Sequence, residues 1–347
     1  MLLNSHAPLH IPIHYWMQAM PWLVRFVSAA RPSRVSKIAE ALSKLHHSAI
    51  ESHRQILSEL DALDLMQTNG QLYVYRNQSQ LRKDRQTWAL RRLHGVRAEE
   101  VTRADIDVLE PLVGVDYQHG IFLPDQGMSL NPLRHATTIA DGLRRRGVIF
   151  FDEAVHRLHL NGRRVAGVDG AAGFTKADLV VVSAGAWSTT LLRPLGYRIP
   201  LESQRGYHID FPNAGVKLSR PVIPADRKVF LSPMETGLRV AGTVEFGGLD
   251  APPSRERAHL LVHDLSAVVP TANTDGHEPF WMGHRPCLPD SLPVLGKSER
   301  YGDLWFAFGH GHLGLTASAI TGDLIARSIL KERADIDMRP YSAERFK

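Results

Sequence analysis

Cysteine and long apolar runs are the two features that this chain most clearly lacks. Cys287 is the only cysteine among 347 residues, so no disulfide can form within the chain. This cysteine usage is typical of a reducing compartment, and we expect a cytoplasmic protein. A thiol that packs as a small apolar side chain explains Cys287 better than a covalent link to a cofactor. No apolar run approaches the roughly 20 residues that a membrane-spanning helix needs.

Blocks of like charge and metal-binding spacings are absent as well. The 41 basic and 36 acidic residues are interspersed, and no basic block alternates with aromatic residues, so we predict no nucleic-acid partner. Neither the adjacent His46 and His47 nor the pair His310 and His312 has the spacing of zinc ligands, and we predict no metal site. The sequence has no G-x-S-x-G motif, which argues against a serine hydrolase.

The N-terminal part of the chain is apolar and carries scattered cations. An aromatic and apolar patch at Trp22–Val27 is flanked by Arg25, Arg31, Arg34 and Lys37. A helix packed on its own domain is one interpretation, and a peripheral contact with the inner face of the plasma membrane is the other. From Val35 to Leu65 apolar residues recur at helical spacing, which predicts one long helix.

A strand, a glycine turn and a helix follow one another near the C-terminus. Leu304–Phe308 has the length and aromatic content of a buried strand, and apolar residues recur at helical spacing from Leu313 to Ile329. Between them, the glycines of GHGHLG bring bare backbone towards a helix N-terminus, which is suited to an anionic or electron-rich group. The spacing G-x-G-x-x-G also matches the dinucleotide fingerprint, but no second strand with a ribose-binding acid follows.

A second strand-to-turn segment lies at Asp178–Ser188. Leu179–Val182 is apolar on both faces, as in a parallel strand that is covered on each side, and it ends in the small residues of Ala184-Gly185-Ala186. Ligands of open α/β sheets bind at the carboxyl ends of such strands. An ordinary strand-to-helix connection is the alternative interpretation.

Other stretches predict the remaining strands. Val148–Phe151 has the composition of a short apolar strand, and Asn161-Gly162 between two β-rich runs predicts a hairpin. Three runs alternate between apolar and polar residues and predict an antiparallel sheet with one face free for a pocket; they are Tyr207–Phe211, Val229–Ser232 and Leu238–Val244.

Arg285 stands in an apolar loop that three prolines stiffen, in the stretch GHRPCLPDSLPVLG. A permanent cation in such a setting needs a fixed anion, and its planar fork fits a carboxylate with two hydrogen bonds. The anion could belong to a bound substrate. The alternative is an internal ion pair with Asp290.

Taken together, GHRP, PDSLP, Gly296 and GHGHLGLT near the C-terminus, with the earlier strand end AGAW, resemble the D-amino-acid oxidase/dehydrogenase family of FAD enzymes. Within that family the chain is similar to bacterial D-amino-acid dehydrogenases and D-hydroxyproline dehydrogenases. The resemblance implies FAD as cofactor, a small amino-acid substrate, and oxidation to an imino acid that hydrolyses to a 2-oxo acid. The electron acceptor stays open, with a quinone or the respiratory chain as candidates.

The resemblance also assigns residues. It implies that Arg285 binds the substrate carboxylate, that Tyr207 lines the pocket, and that Glu245 is structural. It places the adenine at the backbone of Val155 and the diphosphate above the turn formed by Ala184 and Gly185. The flavin would face a group of residues at the glycine turn and the following helix, namely Gly309, His310, Gly311, His312, Leu313, Gly314 and Thr316. The two histidines would pack near the ring and have no acid or base role.

The implied fold is α/β (α+β), with two domains. Residues 1–65, 124–197 and 283–335 would form a discontinuous Rossmann-like FAD-binding domain. Residues 66–123 and 198–282 would form the antiparallel-sheet substrate domain. The chain shows no N-terminal glycine fingerprint, and the family carries a βαβ unit there. We therefore expect a truncated gene model, a fragment or half of a split protein; a non-catalytic remnant without FAD is the alternative.

This departure predicts that the chain by itself binds FAD weakly, because a βαβ unit normally supplies the helix N-terminus that holds the diphosphate. Dialysis of the purified chain against flavin-free buffer should leave much less than one FAD per chain. A stoichiometric flavin that survives dialysis would show the expectation to be wrong.

Overall fold

The computed structural model describes residues 9–346, and these divide into two compact units. We call residues 9–15, Leu57–Ile139 and Arg205–Gly283 the large-sheet unit. We call Trp16–Ile56, Ala140–Gln204 and residues 284–346 the glycine-turn unit. The assignment of cofactor and substrate binding to particular domains stays a prediction.

The described residues form seventeen strands and ten α-helices. The strands are β1 (Leu9–His10), β2 (Met66–Gln67), β3 (Gln71–Tyr75), β4 (Glu99–Thr102), β5 (His119–Leu123), β6 (Met128–Ser129), β7 (Val155–Asn161), β8 (Arg164–Gly170), β9 (Gly173–Lys176), β10 (Val180–Val182), β11 (Glu202–Phe211), β12 (Val222–Pro224), β13 (Phe230–Met234), β14 (Gly237–Phe246), β15 (Trp281–Cys287), β16 (Val294–Lys297) and β17 (Leu304–Phe308). The helices are α1 (Trp16–Ala29), α2 (Pro32–His46), α3 (Ala49–Glu59), α4 (Gln78–Lys83), α5 (Arg85–Leu93), α6 (Arg103–Leu109), α7 (Pro132–Arg145), α8 (Ser188–Leu192), α9 (Arg255–Val268) and α10 (Gly314–Ile329). In the part of the chain that is described, none of these helices has both the length and the apolar character to cross a membrane.

A nine-stranded sheet organises the large-sheet unit. Its order is β15-β11-β14-β13-β12-β3-β5-β4, and β1 pairs with β14. The three alternating runs predicted as strands are confirmed as β11, β13 and β14. The sheet is mixed rather than wholly antiparallel, because β12 runs parallel to β3 and β1 runs parallel to β14. Both parallel pairs join segments that are distant in the chain, and local alternation carries no information about such pairings.

The core of this unit forms where α9 packs on the sheet. Ser254 caps the helix, and its side-chain oxygen accepts a hydrogen bond from the backbone N–H of Arg257. Ala258, Leu261 and Leu265 are fully buried against apolar strand residues such as Val240. Burying one such leucine or valine side chain contributes about 1.5–3 kcal/mol.

The glycine-turn unit contains a three-stranded sheet in the order β10-β17-β16. β10 runs parallel to β17, with Val180 opposite Leu304 and Val182 opposite Phe306. Aromatic residues of β17 fill the core of this unit, where Phe306 and Phe308 are almost inaccessible to solvent. A second sheet, β7-β8-β9, contains the predicted hairpin, and Gly162 takes the positive φ of 61° that its turn needs.

Two predictions of regular structure were wrong. Val148–Phe151 is not a strand, and its four side chains are between 45% and 74% exposed. Composition favours a strand there, but no neighbouring strand among residues 9–346 pairs with its backbone. The predicted long helix from Val35 is divided into α2 and α3 at His47-Ser48. Nδ1 of His46 contacts the Leu42 carbonyl at 2.8 Å, and Ser48 is a residue type that favours the start of a helix. Such local side-chain contacts compete with the continuation of α2.

A buried arginine fixes the loop between β14 and α9. The guanidinium of Arg205, which is 1% exposed, donates to the carbonyl groups of four loop residues at 2.6–3.1 Å, namely Gly247, Gly248, Ala251 and Pro252. Its Nη1 also lies 3.8 Å from Oε2 of the buried Glu245. One side chain therefore satisfies several backbone acceptors that would otherwise be left without a donor.

We expect Arg205→Met to lower the free energy of unfolding by about 3–5 kcal/mol, because it leaves several buried carbonyls without a donor and removes a cation from beside the buried Glu245. Urea unfolding monitored by circular dichroism measures this loss. Arg255→Met is the matched control, because Arg255 is exposed on the neighbouring helix and should change stability by less than about 0.5 kcal/mol. Equal effects of the two variants would contradict the role given to Arg205.

Candidate functional site

The two glycine-containing turns lie at the same edge of one sheet. β10 and β17 are parallel neighbours, so the segments that leave their carboxyl ends begin side by side. After β10 the chain turns at Gly185 with a φ of 54°, and after β17 it turns at Gly309 and Gly311 with φ of 89° and 57°. Side chains rarely adopt these angles, which explains glycine at the three positions. The carboxyl edge of a parallel pair is where open α/β sheets bind ligands.

The glycine turn after β17 packs against the chain that follows Arg285. A Cβ atom built on Gly309 would lie 2.6 Å from Cδ1 of Leu288, so a side chain at this position would displace that leucine. A Cβ built on Gly311 would lie 3.6 Å from Sγ of Cys287. The turn therefore lies next to residues that are two and three positions after Arg285 in the sequence.

The turn after β10 contacts β15, the strand that contains Arg285. The ring of Trp187 meets that of His284 edge to face, with a centroid distance of 5.2 Å. On the same imidazole, Nδ1 lies 2.7 Å from the hydroxyl of Ser203. These contacts hold His284, the residue before Arg285. The structure therefore brings together the turn after β10, the glycine turn after β17 and the stretch around Arg285.

The backbone at both turns is suited to an electron-rich cofactor edge. α10 begins at Gly314 without a side-chain cap and without an acidic residue in its first turn. Its 16 residues direct a positive dipole end towards the glycine turn. Ser188 follows the first turn and is fully buried, and among the described residues no group lies within hydrogen-bond distance of its hydroxyl. These features fit a flavin dinucleotide, whose diphosphate and pyrimidine edge accept hydrogen bonds.

The two histidines of the turn differ in environment. Nε2 of His310 lies 3.0 Å from the hydroxyl of Thr321, and burial lowers the pKa of His310 to about 4, with His46 adding to the effect. His310 is therefore neutral at pH 7. His312 is exposed, as is Thr316. Within residues 9–346, no cluster of three metal-ligating side chains occurs.

Arg285 lies near the end of β15 and is partly buried, which lowers its pKa from the ordinary value. Asp290, the partner of the alternative interpretation, is engaged by other groups. Its Oδ2 accepts a hydrogen bond from Nε of Arg345 at 2.8 Å, and its Oδ1 accepts one from the backbone N–H of Leu292 at 3.2 Å. This arrangement weakens the case for Asp290 as the anion that Arg285 requires.

Cys287 behaves as a packed thiol. Burial raises its pKa to about 12, so the thiolate form is negligible at neutral pH. Its backbone carbonyl accepts a hydrogen bond from Nε1 of Trp22 at 3.3 Å. The expectation that Cys287 is a packed side chain and not a covalent cofactor link stays a prediction.

Two predicted site residues belong to other sheets than the one that carries these turns. Val155 is the first residue of β7, in the separate sheet β7-β8-β9. Tyr207 belongs to the large-sheet unit and is 1% exposed. Its hydroxyl donates to Oε2 of Glu245 at 2.6 Å and accepts from the backbone N–H of Ser254 at 2.9 Å. Burial, together with Glu245, raises the pKa of Tyr207 to about 12. Pocket roles for these two residues stay predictions.

The opposite side of β11 carries side chains that sequence reasoning missed. His208 stacks on Trp281 with a centroid distance of 4.8 Å, whereas Tyr207 packs with Phe280 in the core. Burial lowers the pKa of His208 to about 4, and Arg239 contributes to the shift. Adjacent residues of a strand face opposite sides of the sheet. The alternation of β11 around Tyr207 was therefore the signal by which His208 could have been found.

Known proteins resemble this chain over most of its length. Residues 13–328 match the DAO family model, described as FAD dependent oxidoreductase. A D-amino-acid oxidase of Bradyrhizobium diazoefficiens is 32% identical over 349 residues, covering 99% of this chain and 83% of that protein. A D-amino acid dehydrogenase of Vibrio vulnificus is 31% identical, covering 96% and 81% of the two chains.

Solved structures share the fold. Glycine oxidase from Bacillus cereus superposes with a TM-score of 0.74 at 18% identity, covering 88% of this chain and 83% of that one. L-proline dehydrogenase from P. horikoshii gives 0.75 at 18% identity, with coverages of 87% and 82%. At such identities the likeness concerns the fold alone.

The fold and the family match together define a flavin-dependent oxidoreductase. The chain belongs to the DAO family of FAD-dependent oxidoreductases, and the predicted family, fold class, enzyme class and FAD cofactor are confirmed. Nothing in these comparisons supports the alternative of a non-catalytic remnant.

The neutral His310 predicts a pH-dependent contribution to stability. Its pKa is about 4 in the folded chain and 6.5 in the unfolded chain, so its contribution is present above pH 6.5 and is lost as the pH falls towards 4. Between pH 7.5 and 5 this amounts to about 2 kcal/mol. His310→Gln should reduce the pH dependence of the free energy of unfolding by that amount. Equal pH dependence in urea titrations of the two proteins would exclude the effect.

Proposed function

We propose that this protein oxidises a D-amino acid, or a cyclic secondary amino acid such as D-hydroxyproline, to the imino acid, which hydrolyses to a 2-oxo acid. Membership of a family of FAD-dependent amino-acid oxidoreductases is the starting point. The observation that carries the proposal is the packing of the glycine turn against Cys287 and Leu288, immediately after Arg285. The names of the relatives, D-amino-acid oxidase and D-amino acid dehydrogenase, support the D configuration.

The chain's own residues would bind and orient the reactants. FAD, when bound, supplies the oxidant, which accepts a hydride from the substrate Cα while the amino nitrogen becomes an imine. Arg285 holds the substrate carboxylate with its planar fork, which limits the orientations of Cα. The backbone of Gly309–Gly314 and the N-terminus of α10 stabilise negative charge on the cofactor. Ala184 and Gly185 would hold the diphosphate of the cofactor.

His310 contributes shape and hydrogen bonding rather than charge. Its low pKa keeps the ring neutral at pH 7, so it adds no positive charge to the cofactor site. The partly buried Cys287 adds no thiolate. Arg285 is therefore the group to which we assign recognition of the substrate anion.

The electron acceptor distinguishes an oxidase from a dehydrogenase, and relatives carry both names. We propose a quinone or another respiratory-chain acceptor, and a cytoplasmic location at the inner face of the membrane. The single cysteine and the cationic N-terminal helices support this location. Oxygen consumption compared with reduction of a quinone analogue, in the same preparation, separates the two acceptors.

A direct test uses the protein supplemented with FAD under anaerobic conditions. Addition of D-amino acids, including D-hydroxyproline, should bleach the flavin absorbance near about 450 nm, whereas the L-enantiomers should not. Bleaching by L-amino acids alone would reverse the proposed configuration. Absence of bleaching by any amino acid, with FAD demonstrably bound, would reject the proposed function.

Substitution of Arg285 should damage catalysis without loss of the fold. Arg285→Ala should lower kcat/KM by roughly 30-fold to several-thousand-fold, corresponding to the loss of a charge-assisted pair of about 2–5 kcal/mol. Arg285→Lys should be nearly as harmful, because lysine keeps the charge but loses the two-pronged geometry. Flavin content should match that of the parent, since Arg285 is assigned to substrate.

Asp290→Asn is the matched control. It weakens the pair with Arg345 and should lower stability by about 1–2 kcal/mol, with kcat/KM close to that of the parent. Thermal melts and steady-state kinetics separate the two roles. If Asp290→Asn and Arg285→Ala gave equal losses of both stability and activity, Arg285 would be a structural partner and not the carboxylate ligand.

A further inference from the structure

A surface pocket of about 210 Å³ lies beside the first turns of α9, within the large-sheet unit. We call it the α9 pocket. Its apolar lining comes from β11, from α9 and from the segment that leads into β15, namely Ile209, Ala258, Pro279 and Phe280. Its polar lining consists of three nitrogen-bearing side chains, Arg255, His259 and His277. Sites for drug-sized ligands measure roughly 300–1,000 Å³, so this pocket has room for a smaller molecule.

Packing holds the walls of the α9 pocket in place. Arg255, Ala258 and His259 follow one another at spacings of three and one, and the first lies three and four residues from the others, so all three share one side of α9. The opposite wall, residues 277–280, is joined to β11, because the backbone N–H of Glu278 donates to the carbonyl of Asp210 at 2.9 Å. Main-chain and core contacts therefore fix both walls.

The floor of the pocket is continuous with the core. Ile209 is 1% exposed and Ala258 is fully buried, and both belong to the cluster between the sheet and α9. The ring of Phe280 packs on that of Tyr207 with a centroid distance of 6.1 Å. An apolar floor of this kind favours the hydrocarbon part of a ligand, because contact with it removes apolar surface from water.

The polar side chains of the pocket have unused hydrogen-bonding capacity. In the part of the chain that is described, the guanidinium of Arg255 has no ion pair, and the ring nitrogens of His259 have no hydrogen bond. The imidazole of His259 meets that of His277 edge to face, at a centroid distance of 6.0 Å. No acidic residue belongs to the described lining of the pocket. Glu256 follows Arg255 directly, and adjacent residues of a helix do not face each other.

A carboxylate attached to a small apolar body matches these groups. The planar fork of Arg255 fits a carboxylate with two hydrogen bonds, and His259 can add one N–H from either ring nitrogen. One permanent cation balances the single negative charge of a carboxylate, whereas a phosphate monoester carries about 1.5–2 negative charges. The apolar floor favours a body that an inorganic anion lacks.

We propose that the α9 pocket binds a small apolar monocarboxylate with a branched or cyclic body. Arg255 binds the carboxylate, His259 donates to it, and Ile209, Ala258 and Phe280 contact the body. The residues that form the pocket lie between positions 209 and 280, and Arg285 is not among them. The inference is therefore independent of the proposed reaction.

Isothermal titration calorimetry with cyclohexanecarboxylate tests the proposal on the full chain. We expect a Kd of about 1 mM or tighter. Acetate lacks the body and cyclohexanemethanol lacks the charge, so each should bind at least about tenfold more weakly. Inorganic phosphate should also bind at least about tenfold more weakly. Equal affinities for cyclohexanecarboxylate and for the two small anions would show a general anion site and overturn the proposal.

Two substitutions test the roles of the polar side chains. Arg255→Met should weaken the binding of cyclohexanecarboxylate by about tenfold or more, because hydrogen bonds to a charged group are lost. His259→Phe keeps a ring against His277 but removes the N–H, and it should weaken binding by about threefold or more. Thermal melts of each variant verify the fold.

The matched control is Arg82→Met. Arg82 is exposed on α4 and does not line the pocket, so this variant loses the same charge elsewhere. It should bind cyclohexanecarboxylate to within about twofold of the parent, since distant exposed charges are screened. A folded Arg255→Met protein that binds as tightly as the control, or a parent that does not bind, would overturn the proposal.

Arg285→Ala separates the α9 pocket from the proposed substrate site. This variant should keep one binding site for cyclohexanecarboxylate, and addition of Arg255→Met to it should remove that site. If Arg285→Ala alone abolished all binding, the probe would belong to the substrate site and the proposal would be overturned. A parent dimer that Arg255→Met converts to a monomer would assign the pocket to a contact between copies, which also overturns it. Binding that persists in Arg285→Ala supports the pocket whatever amino acids prove to do to the flavin.

Discussion

The parallel pairing of β10 with β17 is the interaction on which the candidate site depends. It sets Val182 beside Phe306, and the turns that follow both strands therefore start from one edge of the sheet. Without this pairing, Gly185 and the glycines that follow Phe308 would have no reason to be neighbours. Cofactor binding by backbone groups requires such fixed positions, because peptide N–H groups cannot be re-aimed like side chains.

Much of this arrangement could be predicted from the sequence, because it depends on local physical rules. Aromatic and β-branched residues favour strands, and glycines that need positive φ mark turns at Gly185, Gly309 and Gly311. Pairings between distant segments could not be predicted in the same way. Val148–Phe151 has the composition of a strand, but no strand among residues 9–346 pairs with it, and the pairing of Asp290 with Arg345 joins residues 55 positions apart.

The large-sheet unit illustrates a different limit. Alternation identified β11 correctly but did not establish which of its two faces would contain the pocket. The family resemblance implies a pocket role for Tyr207, and its hydroxyl is engaged by Glu245 and Ser254, while His208 on the other side stacks on Trp281. A period of two in the sequence separates the two faces of a strand. Which face is buried and which could line a pocket depends on the packing of the whole fold.

The scarcity of cysteine gives the molecule an internal reporter. Cys287 is the only thiol, its Sγ lies 3.6 Å from a Cβ built on Gly311, and its raised pKa of about 12 makes the thiolate scarce at neutral pH. Reaction of this partly buried thiol with a maleimide is therefore slow, and any change that hydrates the thiol would speed it. The rate at which the unmodified protein reacts thus reports on the surroundings of Cys287 beside the glycine turn, and no engineered label is needed.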